Sequence, residues 1–152
     1  MEKMILIKYG ELTTKKGNRK QFIKLLVNNI NSILKGIDYK IRYDRVRMYI
    51  ISDDIDLVID ALKNVFGIHS IVKCYKVNTN IDEIKESIIT ILNNIEFNTF
   101  KVETNRADKS FEIPSMEFSR MIGGHILKNI KCKVDVHNPD LLVKIEIRSD
   151  GT

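Results

Sequence analysis

A chain of 152 residues that is 43% hydrophobic and 30% charged has the composition of a soluble globular protein with one ordinary domain or two small ones, and its apolar runs are too short to span a bilayer. Two distant cysteines, Cys74 and Cys132, without CxxC spacing, argue against a disulfide framework or a metal site, and residues 1–20 hold no signal-peptide core, so cytoplasm is the default compartment. The formal charge of +5 is unevenly spread, with +8 over residues 1–52, −4 over 53–100 and +1 over 101–152, a polarity suited to steering a polyanion.

The apolar, β-branched run at 4–9 predicts a buried strand. After a connection over 10–16, Asn18 with Gln21 three residues on has the form of a capping box. Phe22, Leu25, Leu26, Ile30, Ile33 and Leu34 then repeat at helical spacing as far as Gly36. Lys15, Lys16, Arg19 and Lys20 crowd cations at the start of that helix, where the dipole is already positive. They form either a solvated face or a place where an anion joins them. Residues 38–42 and 46–51 predict a hairpin bearing Arg42, Arg45 and Arg47, cations that suit phosphate contact or the protection of an exposed edge. Asp53, Asp54 and Asp56 open a second helix at the correct dipole end, Ile55, Val58, Ile59, Leu62 and Val65 form its stripe, and Gly67 closes it. His69 is expected in the following loop, and 71–77 as a strand containing a buried Cys74. This order is the split βαβ of a ferredoxin-like fold, which many functions share.

A polar link at 78–80 is the candidate boundary between a first domain, 1–77, and a second, 78–152. Asn80 and Glu83 have capping-box spacing, and Ile84, Ile88, Ile91 and Ile95 fall on one helical face. Phe100, Val102 and Thr104 alternate with polar residues as a half-buried strand, followed by a basic loop from Asn105 with Arg106 and Lys109. Past Pro114, Ser115 is placed to cap a helix whose buried stripe is Phe118, Ile122 and Ile126. At 100° per residue, Arg120, Gly124 and Lys128 advance around the opposite face in steps of about 40°. The strip is cation-lined, with a residue lacking a side chain at its centre. It admits either a chain of phosphates or, through Gly123 and Gly124, a neighbouring strand. Residues 131–136 are basic and extended, His137 to Asp140 read as a structural turn, and 141–147 alternate as a last strand. Asp150-Gly151 is a hairpin signal without a second strand, so the expectation is a chain cut inside a hairpin, with an exposed edge that favours homodimerisation.

Three blocks, NRADKSF, SMEFSRMIGGHIL and KVDVHNPDLLVKIEIR, resemble the THUMP domain, an RNA-binding module of tRNA-modifying enzymes. The opening, MILIKYGELTTKKGNRKQF, resembles that of the tRNA 4-thiouridine synthetase (tRNA sulfurtransferase, ThiI) family, whose ferredoxin-like domain precedes THUMP. The resemblance implies an α+β chain, ferredoxin-like and then THUMP, truncated at its last hairpin. It implies docking of a tRNA acceptor stem and 3′ end, so that a separate PP-loop domain can thiolate a uridine. Carried over by position, the RNA contacts are Lys15, Lys16, Gly17, Asn18 and Arg19, then Arg106, Lys109, Ser115, Arg120 and Gly124, with Lys128 continuing the strip. Where the family often has a small residue and an aromatic, Gly124 and His125 stand here.

No catalytic constellation is visible: there is no GxxxxGK[ST], no GxGxxG opening a helix and no SGGxDS-like ATP loop. The chain is therefore expected to bind rather than catalyse, with no cofactor of its own. For the longer protein the resemblance implies ATP and Mg, a cysteine desulfurase as sulfur donor, and in some members a role in thiamine biosynthesis. A protein-interaction module is the rival from another class, and the THUMP part of another tRNA-modifying enzyme is a third reading.

Overall fold

The structure is a computed structural model that describes residues 1–10 and 17–152. It divides into two compact units, Met1–Lys76 and Val77–Thr152. No helix among the described residues is long and apolar enough to cross a membrane.

The first unit runs β1 (Glu2–Tyr9), α1 (Arg19–Ile33), β2 (Lys40–Tyr43), β3 (Arg47–Ile51), α2 (Ile55–Leu62) and β4 (Ile68–Lys76). Its strands form one antiparallel sheet in the order β2-β3-β1-β4, the ferredoxin-like arrangement. Register follows the apolar alternation: Ile5 pairs with Ile50 and Ile7 with Met48, and all four are fully buried. Leu26, Ile30 and Leu34 from the α1 segment and Val58 and Leu62 from α2 close over them.

Three local expectations change. Asn18 occupies the position before α1 with φ −109° and ψ −2°, but its side chain makes no capping bond, so the Asn18–Gln21 box does not form. The working cap is on α2, where Asp54 Oδ1 accepts from the Leu57 amide at 3.2 Å. His69 lies inside β4, because a register shift at Lys8 and Tyr9 lets Tyr9 pair with Ile68 and carries the ladder beyond it. Gly67 does not close α2, which stops at Leu62, but has φ +95°, a conformation that favours glycine, just before β4.

The second unit runs α3 (Ile81–Leu92), β5 (Thr99–Arg106), α4 (Ser115–Asn129), β6 (Lys133–Val134) and β7 (Leu141–Ile147). β5 lies between β6 and β7, parallel to both. Phe100, Ile145 and Ile147 from the sheet, Phe118, Ile122 and Ile126 from α4, and Ile84, Ile88 and Leu92 from α3 make the core. Leu92 completes the α3 stripe in place of Ile91 and Ile95. The helix stops at Leu92 and leaves Ile95 exposed.

Asn80 Oδ1 caps α3 by accepting from the Asp82 and Glu83 amides at 3.0 Å each, but Glu83 answers through the amide and side chain of Asn78 instead of Asn80. At the other end of the unit, Arg148 and Gly151 close a turn. The Val77 amide donates to the Thr152 carbonyl at 2.9 Å, and the Thr152 amide to Val77 at 3.0 Å.

Candidate nucleic-acid interface

The strand of the second unit continues two residues past its expected end, because Asn105 pairs with Glu146 and Arg106 with Ile147 of β7. The loop that follows folds back on that ladder. The amides of Ala107 and Asp108 both donate to the Ile147 carbonyl, at 2.9 and 3.0 Å. Asp108 Oδ1 accepts from the Ser110 hydroxyl at 2.7 Å and the Ser110 amide at 2.9 Å, which holds its carboxyl below the usual range. Phe111 packs edge-on against Phe118, with ring centroids 5.2 Å apart, and fixes the loop to α4.

This architecture changes the role of the loop cations. Arg106 is half-buried and donates through Nη1 to the Phe111 carbonyl at 2.8 Å, while its Nε is buried with no partner among the described residues. It staples the loop instead of standing open to solvent. Lys109 is exposed, with Nζ donating to the Arg106 carbonyl at 3.0 Å, and an ammonium retains two further donors for an anion.

Ser115 is the first residue of α4 and is half-buried. Pro114 takes the N-cap position, its carbonyl accepts from the Phe118 amide at 2.9 Å, and no side chain caps the helix. Ser119 Oγ donates to Thr104 Oγ1 at 2.8 Å and ties α4 to β5. The opposite face of α4 is open: Arg120 is exposed, with Nη2 3.7 Å from the Met116 sulfur, and Lys128 is exposed in the last turn. A Cβ placed on Gly123 or Gly124 would meet nothing within 4 Å. The glycines therefore do not admit a neighbouring strand within this unit, and the second of the two readings of the strip is excluded there.

In the first unit, Lys15 and Lys16 lie outside the described residues. Gly17 and Asn18 are exposed, and Arg19 is half-buried with its Nε enclosed and unpartnered among the described residues. Arg42 and Arg45 are exposed on the β2–β3 hairpin, whose turn is fixed by Asp44 Oδ1 accepting from the Val46 and Arg47 amides at 2.6 and 2.8 Å. Tyr9 braces that turn, its hydroxyl 2.9 Å from the Asp44 carbonyl and 3.0 Å from that of Arg47. The exposed Phe66 next to Gly67 carried no periodic signal, and only the turn reveals it.

An open cleft of about 640 Å³ in the second unit lies between Thr79, Asn80 and Asp82 on one side and Asp108, Phe111 and Glu112 on the other. Its three carboxylates give it the wrong sign for a phosphate chain. His137 sits in a turn made by Asp135 Oδ1, which accepts from the amides of His137 and Asn138. Among the described residues, no group of three or more His, Cys, Asp or Glu side chains could hold a metal ion.

Residues 4–72 match the ThiI ferredoxin-like domain, and residues 78–152 match the THUMP domain. Over 151 residues the chain is 47% identical to a protein of Thermoanaerobacter pseudethanolicus described as a probable tRNA sulfurtransferase, a match that covers 97% of this chain and 40% of that one. Among solved structures, PH1313 from Pyrococcus horikoshii superposes with a TM-score of 0.83 at 29% identity, covering 98% of this chain and 52% of the other. A 4-thiouridine synthetase in complex with RNA and ATP superposes with a TM-score of 0.82 at 30% identity, covering 99% and 40%. The chain thus spans about 40% of the length of the curated relatives it matches.

Proposed function

Since the chain belongs to the family in which a ThiI ferredoxin-like domain is followed by a THUMP domain, we propose that it is the tRNA-docking portion of a tRNA sulfurtransferase. The observation that carries this reading is the open strip on α4, where Arg120 and Lys128 flank a glycine with no neighbour over it. Two cations separated by a bare stretch of helix let a bent phosphate backbone approach closely, while the ring of Phe118 and the Ser119–Thr104 bond keep the helix from shifting. Lys109 extends the basic surface from the adjoining loop. The named complex of a similar 4-thiouridine synthetase with RNA supports the same class of ligand.

The ligand is the acceptor stem of tRNA with its single-stranded 3′ end, which offers phosphates, 2′-hydroxyls and unstacked bases. The chemistry belongs to a separate PP-loop domain of a longer protein. There ATP, with Mg, would activate a uridine O4 for displacement, and a cysteine desulfurase would be the source of the sulfur. The residues of this chain hold the tRNA and orient it, and none of them is placed in that chemistry.

The test is a titration of this chain with an acceptor minihelix at two salt concentrations. Replacing Arg120 and Lys109 together by Ala should weaken binding, reduce the logarithmic salt slope by about two and leave thermal unfolding unchanged. Trimming the single-stranded 3′ end should weaken binding further. If the double variant binds as tightly as the parent, the strip is not the site. Equal displacement by heparin and by tRNA would mean that only generic charge is read.

A further inference from the structure

Phe66 is the most exposed large apolar side chain described, at 77%, and local geometry holds it there. Buried Val65 and the half-buried Ile68 close a tight turn, with the Ile68 amide donating to the Val65 carbonyl at 3.4 Å. Gly67 takes the third position with φ +95°, which leaves Phe66 at the outer corner. A Cβ on Gly67 would lie 2.5 Å from the Phe22 ring, so the turn is seated directly on α1.

Three more contacts place this corner at the basic end of the first unit. The Gly10 amide donates to the Gly67 carbonyl at 3.1 Å and joins the turn to the end of β1. From the neighbouring position, the Tyr9 hydroxyl reaches the two carbonyls of the β2–β3 turn, which carries Arg45 at its tip. Arg19 opens α1 one turn before Phe22, whose ring lies against Gly67. The corner of Phe66, the start of α1 and the arginine-bearing hairpin therefore share one end of the sheet.

An exposed aromatic ring beside cations is a poor way to solvate a protein and a good way to hold a splayed nucleotide. The ring offers a face for any base, and the guanidinium groups neutralise the phosphates on either side. We infer that Phe66 stacks on an unpaired base while Arg45 and Arg19 contact its flanking phosphates, a second RNA contact in the first unit. This inference rests on the tRNA-docking reading and adds to it a surface separate from α4.

The experiment titrates the 152-residue chain and its Phe66→Ala, Phe66→Tyr and Arg45→Ala variants with the acceptor minihelix carrying its single-stranded end, at two salt concentrations, with Arg120→Ala in parallel. Phe66→Ala should weaken binding about five- to a hundred-fold with an unchanged salt slope, since stacking releases no counterions. Phe66→Tyr should restore binding, and Arg45→Ala should lower the slope by about one. If both Phe66→Ala and Arg45→Ala bind like the parent while Arg120→Ala does not, this inference is overturned and the α4 site stands. If the parent chain binds no RNA, both fail. If Phe66→Ala keeps its RNA affinity but abolishes a dimer in sedimentation, the ring is a protein contact and the inference is wrong.

Discussion

Tyr9 shows how one side chain can set the shape of a surface it does not itself form. Its hydroxyl braces the turn that carries Arg45, and burial, with a further push from the Asp44 carboxylate, raises its pKa from 10.0 to about 12, Arg19 pulling in the opposite direction. The fold favours the neutral phenol, so this contribution to stability is complete below about pH 10, where the unfolded tyrosine begins to ionise, and is lost as pH rises through 12. Tyr9→Phe should therefore flatten the loss of stability between pH 10 and 12 in urea titrations. Identical alkaline limbs for the two proteins would show that the phenol is not the group responsible. Arg106 is a second residue whose role depends on three dimensions. In sequence it is a cation in a basic loop, but the loop turns back and gives it the Phe111 carbonyl.

At the scale of elements, the RNA strip proposed on α4 would set stability against binding at a single position. Glycine in a helix costs about 1 kcal/mol relative to alanine, and nothing stands within 4 Å of a Cβ on Gly124. Gly124→Ala should stabilise the chain by about 0.5–1 kcal/mol and at the same time weaken RNA binding, because the methyl group occupies the space left for a backbone. A variant that is stabilised and still binds fully would remove the glycine from the site. The strip was legible in the sequence because Arg120, Gly124 and Lys128 obey the helical period, and the strands were legible because Ile5, Ile7, Met48 and Ile50 alternate. What stayed hidden depends on pairing or on chain reversal. His69 entered a strand through a register shift, Pro114 displaced Ser115 from the cap, Glu83 turned to Asn78, and Phe66 was set outward by a turn whose only trace was the glycine after it.

Over the molecule as a whole, the second unit gathers five carboxylates that are held below their usual range. Backbone amides of Asn98 and Thr99 hold Asp140, those of Asn138 and His137 hold Asp135, and Asn78, Lys101 and Ser110 do the same for Glu83, Glu103 and Asp108. Each favours the ionised form in the fold, so its contribution is present above about pH 4 and is lost as pH falls through the lowered folded value. In an acid titration followed by amide NMR from pH 6 to 3, the resonances of residues 77–152 should lose dispersion before those of 1–76. Loss of the first unit ahead of the second would contradict this assignment of acid sensitivity.

The paired hydrogen bonds between Val77 and Thr152 make residues 77–152 a cassette whose ends lie side by side. Such a unit can be spliced into a surface loop of an unrelated host without stretching either partner, or reopened elsewhere and rejoined through a short bridge. The exposed turn at residues 137–138 is the natural place for the new ends. The same pair of bonds that ties Val77 to Thr152 also makes the module portable.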